Sequence, residues 1–319
     1  MPPFITLEEH YISPKVRAST AHDEFASFPT KTIQKLESLS TERIKDMNTG
    51  NVALQILSHA PGTHAASLCK ETNNTLASAI SQNPSRLAGF ALLPMSEPAE
   101  AASELERCVT EHGFLGALVD NHIDGRFYDG QEFRPVFAKA QELDVPIYIH
   151  PSWASEDMLE HYKGNYDDGV AVAMSAFGWG WHSETAVHVM RLYASGLFDE
   201  FPKLKIVIGH MGEMLPFQLE RVVNVSGRWG LQRGFQEVWD SNFWITTSGM
   251  FSLAPLACLL RTTRIERVLY SVDYPFSDNQ KGADFFERVK ESGLISGEDL
   301  EKFAHGNAEA LLGVKAVGK

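Results

Sequence analysis

Pro146-Ile147-Tyr148-Ile149, followed at once by His150-Pro151, is the stretch from which the fold is read. It is a short apolar run that stops on a histidine and a proline. Seven more runs of this kind, rich in β-branched residues and bounded by turn residues, recur along the chain. They are Phe4–Leu7, Val52–Leu57, Leu87–Leu93, Leu115–Val119, Ile206–Ile208, Phe243–Thr247 and Val268–Val272. Nearly continuous apolar character is expected of strands buried on both faces. Helical stretches lie between them. One spans Glu97 to His112, with Ala101, Leu105, Cys108 and Val109 in a stripe; a second runs from near Arg134 to before Val145. A third runs from near Ser183 to Leu197 and stops at Phe201-Pro202. Eight strands alternating with helices, without repeat, linker or compositional break, predict an α/β fold. That fold is one closed parallel (β/α)₈ TIM barrel, a single domain over residues 1–319. A doubly wound open sheet is the alternative.

Two connections exceed the ordinary length. Residues 11–50 separate the first two strands, and residues 151–182 form a long insertion after strand five. The second holds Trp153, Trp179 and Trp181 among Gly and Asp residues, which predicts a lid or a subunit contact.

At 319 residues, 44% hydrophobic and 22% charged, the chain has ample material for a sizeable core. A net charge of −13 argues against nucleic acid as a partner, because phosphate binding needs a positive footprint. Cys69, Cys108 and Cys258 are isolated and in no metal spacing, which fits a reducing compartment better than a disulfide framework. Phe4–Leu7 follows no basic region with an apolar stretch and cleavage site, and no apolar run approaches the roughly 18 residues of a membrane span. A cytoplasmic protein without a membrane partner is expected.

In such a barrel, the residues just past each strand's C-terminal end line the active site. Strand one ends in Leu7-Glu8-Glu9-His10, strand five in His150-Pro151, strand six in Gly209-His210-Met211-Gly212-Glu213 and strand eight in Ser271-Val272-Asp273-Tyr274-Pro275. Glu8 and His10 are two apart, so both face the same side of an extended segment. Facing the helix layer would bury charge at high cost, so the lumen is favoured. With His150 and Asp273 they form two imidazoles and two carboxylates, a set suited to Zn²⁺ or Mn²⁺. Taken singly, each has a structural alternative: a satisfied core histidine, or an ion-paired glutamate. Glu213 is placed to reach the His210 imidazole, or simply to complement a helix N-terminus. Arg221, two turns on, faces either an anion or a surface partner. His59 and His122 end strands two and four and are placed to line the pocket. His182 precedes a helix; His22, His64, His112, His161, His188 and His305 have no special placement.

Several segments together resemble one family. They are Leu7-Glu8-Glu9-His10, Gly89-Phe90-Ala91-Leu92-Leu93-Pro94-Met95, Gly113-Phe114-Leu115-Gly116-Ala117-Leu118-Val119, His150-Pro151, and Gly209-His210-Met211-Gly212-Glu213. Thr246-Thr247-Ser248-Gly249, Ser271-Val272-Asp273-Tyr274-Pro275-Phe276 and His305-Gly306-Asn307-Ala308 complete the set. The pattern resembles the metal-dependent aromatic acid decarboxylases of the amidohydrolase superfamily. These include γ-resorcylate, 2,3-dihydroxybenzoate and salicylate decarboxylases and, more distantly, aminocarboxymuconate semialdehyde decarboxylase. The resemblance implies an amidohydrolase-type barrel with one divalent ion held by Glu8, His10, His150 and Asp273, the metal being Zn²⁺ or Mn²⁺ with Mg²⁺ as an alternative. It also implies a His210–Glu213 pair behind the ligands, a substrate-proximal Arg221, and a homodimer or homotetramer. His10 tilts the substrate towards the γ-resorcylate type, since the 2,3-dihydroxybenzoate and salicylate enzymes more often carry Ala there. Tyr274 departs from the family's usual Trp or Ser, and His59 from its Asn.

The implied reaction is reversible, non-oxidative decarboxylation of a small hydroxylated aromatic carboxylic acid. The metal would chelate carboxylate and ortho-hydroxyl, while Asp273 protonates the ring carbon. His210 and Glu213 would position the substrate or tune Asp273. The competing enzyme reading is metal-dependent hydrolysis of a lactone, ester or amide. Relatives of that kind often carry His-x-His after strand one and a strand-four lysine, and Val119-Asp120-Asn121-His122 has none. A silent barrel that merely binds a metal or ligand is the reading from a different class.

Overall fold

The computed structural model describes residues 1–19 and 28–316; His22 lies outside them. All eight expected strand runs carry strand, in nine segments: β1 (Phe4–Tyr11), β2 (Val52–His59), β3 (Leu87–Gly89), β4 (Ala91–Leu92), β5 (Ala117–Asp120), β6 (Pro146–His150), β7 (Lys205–Ile208), β8 (Phe243–Thr246) and β9 (Val268–Leu269). Neighbouring strands pair in parallel, in the orders β1-β2-β3 and β4-β5-β6-β7-β8-β9.

β3 and β4 are two halves of one expected strand, broken at Phe90. There the chain changes partner: Phe90 N–H donates to Leu57 O at 2.8 Å and Ala91 N–H to Gly116 O at 2.9 Å. The break therefore joins the two parallel sheets. The barrel closes between its first and last strands, where Glu9 bridges Tyr274 in parallel and His10 N–H donates to Tyr274 O at 2.7 Å.

The last strand is shorter than its apolar run, Val268–Val272, because side chains take over the ladder. Thr247 Oγ1 donates to Ser271 O at 2.7 Å, and Ser271 Oγ accepts from the N–H groups of Leu7 and Glu8 at 3.0 and 2.8 Å. The Glu9 carboxylate fills the rest of this seam, accepting from Val272 N–H and Ser271 Oγ at 3.1 Å and from Tyr274 N–H at 3.3 Å.

The alternation of strand residues separates two cores. Ile5, Leu7, Leu54, Ile56, Phe90, Leu118, Tyr148, Val207 and Leu269 form a cluster inside the barrel. Ala308 and Leu311, from the helix Asn307–Leu312, pack against the same cluster. The residues of opposite parity, such as Leu57, Ile147, Ile149, Ile206, Ile208 and Ile245, pack outwards against the helices. The lumen is thus filled by an apolar plug, and the ligating residues that meet inside it stand at the strands' C-terminal rim.

Of the two long connections, residues 11–50 carry helices Pro14–Ser19, Thr30–Glu37 and Thr41–Thr49. Residues 151–182 carry helices Glu156–His161 and Asp168–Ser175 and the start of Gly180–Ala194. Cys69, Cys108 and Cys258 are free thiols. Among the described residues no helix is long and apolar enough to cross a membrane.

Candidate active site and metal centre

At the rim, ligand atoms of Glu8, His10, His150 and Asp273 all lie within 4.8 Å of one another. β1 supplies two of them because its pairing with β2 is irregular between Thr6 and Glu9. The consecutive N–H groups of Leu7 and Glu8 both reach Ser271 Oγ, which marks a local bulge. Leu7 can therefore join the apolar plug while Glu8 and His10 still turn to the cluster. His150 ends β6 and donates its Nδ1–H to Pro151 O at 2.6 Å, which leaves Nε2 3.2 Å from Glu8 Oε1. Asp273 follows β9 in a left-handed conformation (φ 66°), and its Oδ1 stands 3.4 Å from His10 Nε2.

Glu8 Oε1, His10 Nε2 and Asp273 Oδ1 are buried and have no hydrogen-bond partner. Buried polar atoms are nearly always paired, so three orphans aimed at one point need a common partner. A divalent cation satisfies all of them, and the residues fit one such ion. The other oxygen of Glu8 is held from below: Oε2 accepts from Tyr148 OH and Ser248 Oγ, and Tyr148 OH also pairs with Thr246 Oγ1 at 2.7 Å. Close approach here requires glycine at position 209, since a Cβ would stand 2.6 Å from Glu8 Oε2.

Charge at the centre follows from these contacts. Burial would raise the Glu8 carboxyl, but His210, His150 and His10 outweigh it and hold the group well below the usual carboxylate range. Burial disfavours a charged His210, yet Glu213 and Glu8 push it up to about 10. His150 is raised by Glu8 against the effect of burial, whereas burial lowers His10. A bound cation would favour the neutral form of both His10 and His150.

His210 lies in the turn after β7, with Nε2 3.4 Å from Glu8 Oε1 and Nδ1 2.7 Å from Glu213 Oε1. The expected pair is therefore in contact, and Glu213 is fully buried. A third member was not anticipated: His182 Nδ1 lies 2.7 Å from Glu213 Oε2. Nothing in the sequence joins residues 182 and 213 except the placing of a histidine at the start of a helix. Tyr148, Thr246 and Ser248 were also missed as supports of Glu8. Tyr148 was legible in principle, since it precedes His150 by two on the same strand and shares its face.

Above the ligands lies a cavity of about 250 Å³, lined by Phe28, Trp153, Phe177, Trp181 and Phe276, with His150, His210 and Asp273 among the lining residues. Trp181 packs edge-on against Trp153 at 5.4 Å and Phe177 at 6.0 Å; Phe276 lies 5.7 Å from the His10 ring. Residues 151–182 thus supply much of the chamber's aromatic wall.

The three remaining sequence candidates fare differently. His59 has both ring nitrogens engaged by backbone: Nε2 accepts from Ser13 N–H at 3.0 Å and Nδ1 donates to Ala60 O at 2.7 Å. Burial lowers it to about 3, so it is a neutral tie between the ends of β1 and β2, away from the aromatic chamber. His122 is buried beside a polar side pocket that shares Pro61, Ser152 and Trp153 with the chamber. Its Nδ1 accepts from Gly125 N–H at 3.2 Å. Arg221 is exposed on the helix Leu215–Ser226 and does not line the chamber, because its position on that helix turns it to the outside.

The chain is similar to known proteins over nearly its whole length. A family model described as amidohydrolase matches residues 40–314. The chain is 48% identical over 324 residues to the decarboxylase orsB of Emericella nidulans, covering 98% of each chain. It is 35% identical over 330 residues to the γ-resorcylate decarboxylase of Rhodococcus jostii, covering 96% of this chain and 97% of the relative. Among solved structures, the dihydroxybenzoic acid decarboxylase of Polaromonas sp. JS666, with bound manganese and the inhibitor 2-nitroresorcinol, superposes with a TM-score of 0.86. The two are 33% identical over 98% of this chain and 97% of that one.

Proposed function

The chain belongs to the amidohydrolase family, and from that premise we propose that it is a metal-dependent carboxy-lyase acting reversibly on a hydroxylated benzoate. One arrangement carries the reading: an aromatic-walled chamber over Asp273, His150 and His210, beside three orphaned ligand atoms. An apolar cavity of about 150 Å³ holds benzene. The chamber's 250 Å³ therefore leaves space for a carboxylate and one or two further small ring substituents. The aromatic acid decarboxylases among the relatives support the same substrate class.

Glu8, His10, His150 and Asp273 would hold the ion. When bound, a divalent cation would orient the substrate's carboxylate and ortho-hydroxyl and favour the ionised hydroxyl, whose charge enriches the ring carbon that is to be protonated. The aromatic walls hold the ring and exclude water. Asp273, the most exposed of the four with 19% of its side chain accessible, stands between the ligand cluster and the chamber. It delivers a proton to the ring carbon that bears the carboxylate; the carbon–carboxylate bond then breaks, its electron pair returns to the ring and CO₂ leaves. One proton is consumed and no electrons are exchanged, so no redox cofactor is required. His210 presents its ring at the chamber's edge, held by Glu213, and steadies the substrate or Asp273.

The test is CO₂ release and ultraviolet loss of substrate from the manganese- or zinc-loaded protein. The panel is 2,6-, 2,3- and 2,4-dihydroxybenzoate, salicylate and 5-carboxyvanillate. Stoichiometric CO₂ from at least one acid, abolished by a chelator, is the expected result. Acid release from a lactone panel without CO₂ from any hydroxybenzoate would overturn the reading in favour of hydrolysis.

A further inference from the structure

We propose that His182 is a positioning residue for His210, acting through Glu213. The inference rests on the decarboxylase reading of the chamber and adds a residue to it. The turn after β7 is unusual: His210, Met211, Gly212, Glu213 and Met214 all have positive φ, from 47° to 90°. Non-glycine residues rarely adopt that conformation, and a run of them persists only where contacts from outside the turn hold it. Glu213 supplies the tie. It is fully buried and each carboxylate oxygen takes one imidazole, Oε1 the Nδ1–H of His210 and Oε2 the Nδ1–H of His182, both at 2.7 Å.

His210 alone cannot fix Glu213, because the two share the strained turn and can swing together. His182 comes from the helix Gly180–Ala194, so its bond anchors the carboxylate to a separate element. With Glu213 fixed, the His210 ring is held so that Nε2 points at Glu8. The preceding residue, Trp181, lines the chamber. One helical turn thus presents a ring to the substrate and an imidazole to the carboxylate that aligns His210. Pressure of a bound ring on Trp181 would reach the His210–Glu213 pair through this turn.

The test uses the metal-loaded full chain. In His182→Ala, kcat should fall about tenfold or more, with KM within about threefold and metal content unchanged. His182→Asn, whose side-chain N–H can replace Nδ1, should recover most of the loss. A kcat for His182→Ala within twofold of the parent would overturn the proposal. So would an Asn variant no better than Ala when both are folded and loaded. A second readout is independent of turnover. With ¹⁵N-labelled histidine, the parent should show two downfield Nδ1–H signals from carboxylate-bound imidazoles. His182→Ala should lose one and shift the other; an unmoved second signal would also overturn the role. If the parent released no CO₂ from any hydroxybenzoate, the functional reading would fail, while these proton signals would still decide the role of His182.

Discussion

Replacing Tyr148 with Phe removes one oxygen from the barrel interior and nothing else, so it isolates the support beneath Glu8. The hydroxyl donates to Glu8 Oε2 and pairs with Thr246 Oγ1 at 2.7 Å and Ser248 Oγ at 3.1 Å. Burial and the neighbouring Glu8 raise its pKa well above the usual tyrosine value, so it remains a neutral donor at every working pH. Without it, Ser248 is left as the side-chain donor to Oε2 of a fully buried carboxylate. A hydrogen bond to a charged group is worth about 1.5–3 kcal/mol. Expressed through metal affinity, that is about 10- to 100-fold, the range found when the support of a metal ligand is removed. Competition for Mn²⁺ or Zn²⁺ against a chromophoric chelator measures it, with circular dichroism confirming that the variant is folded. A folded Tyr148→Phe protein with metal affinity within threefold of the parent would refute the reasoning that Oε2 must be held for Oε1 to bind.

Three further outcomes follow from the same geometry. Gly209→Ala places a Cβ 2.6 Å from Glu8 Oε2, so the carboxylate must move; metal affinity should fall at least about tenfold, as chelator competition would show. Asp273→Asn should keep some metal but lose turnover by at least about a hundredfold, the scale of a missing proton donor, read as kcat on the best substrate. Acid stability depends on His59 and His188, both lowered to about 3 chiefly by burial. The unfolded chain protonates them below pH 6.5 while the folded one does not, so the unfolded state binds more protons. Stability is therefore fully present above pH 6.5 and falls as pH drops towards 3, by about 2 kcal/mol per histidine at pH 5. Urea unfolding at pH 7 and pH 5 should show a smaller acid loss in His188→Gln than in the parent; an equal loss would contradict the assignment.

The barrel and the four-residue cluster were legible because both follow from local pattern. Apolar runs mark strands, strand ends mark the rim, and a two-residue spacing keeps Glu8 and His10 on one face. What escaped is non-local. Glu9 has the same composition signal as Glu8, yet it closes the seam between first and last strands, because the bulge at residues 7–8 changes which side each residue faces. His182 reaches Glu213 only through the packing of a helix against a turn. His59 stands at a strand end like His150, but Ser13 N–H and Ala60 O consume both of its nitrogens. Arg221 stands two turns beyond Glu213 in sequence, but its place on the helix Leu215–Ser226 leaves it exposed and away from the chamber.

The central claim is that one divalent ion sits among Glu8, His10, His150 and Asp273. Two groups of ligating side chains lie near each other among the described residues, the second being His182, His210 and Glu213. Anomalous diffraction at the manganese edge, from crystals grown with Mn²⁺, distinguishes them directly. The account predicts a single peak about 2.0–2.3 Å from the ligand atoms of the first group. A peak coordinated by His182, His210 and Glu213, or none at Glu8, would contradict it.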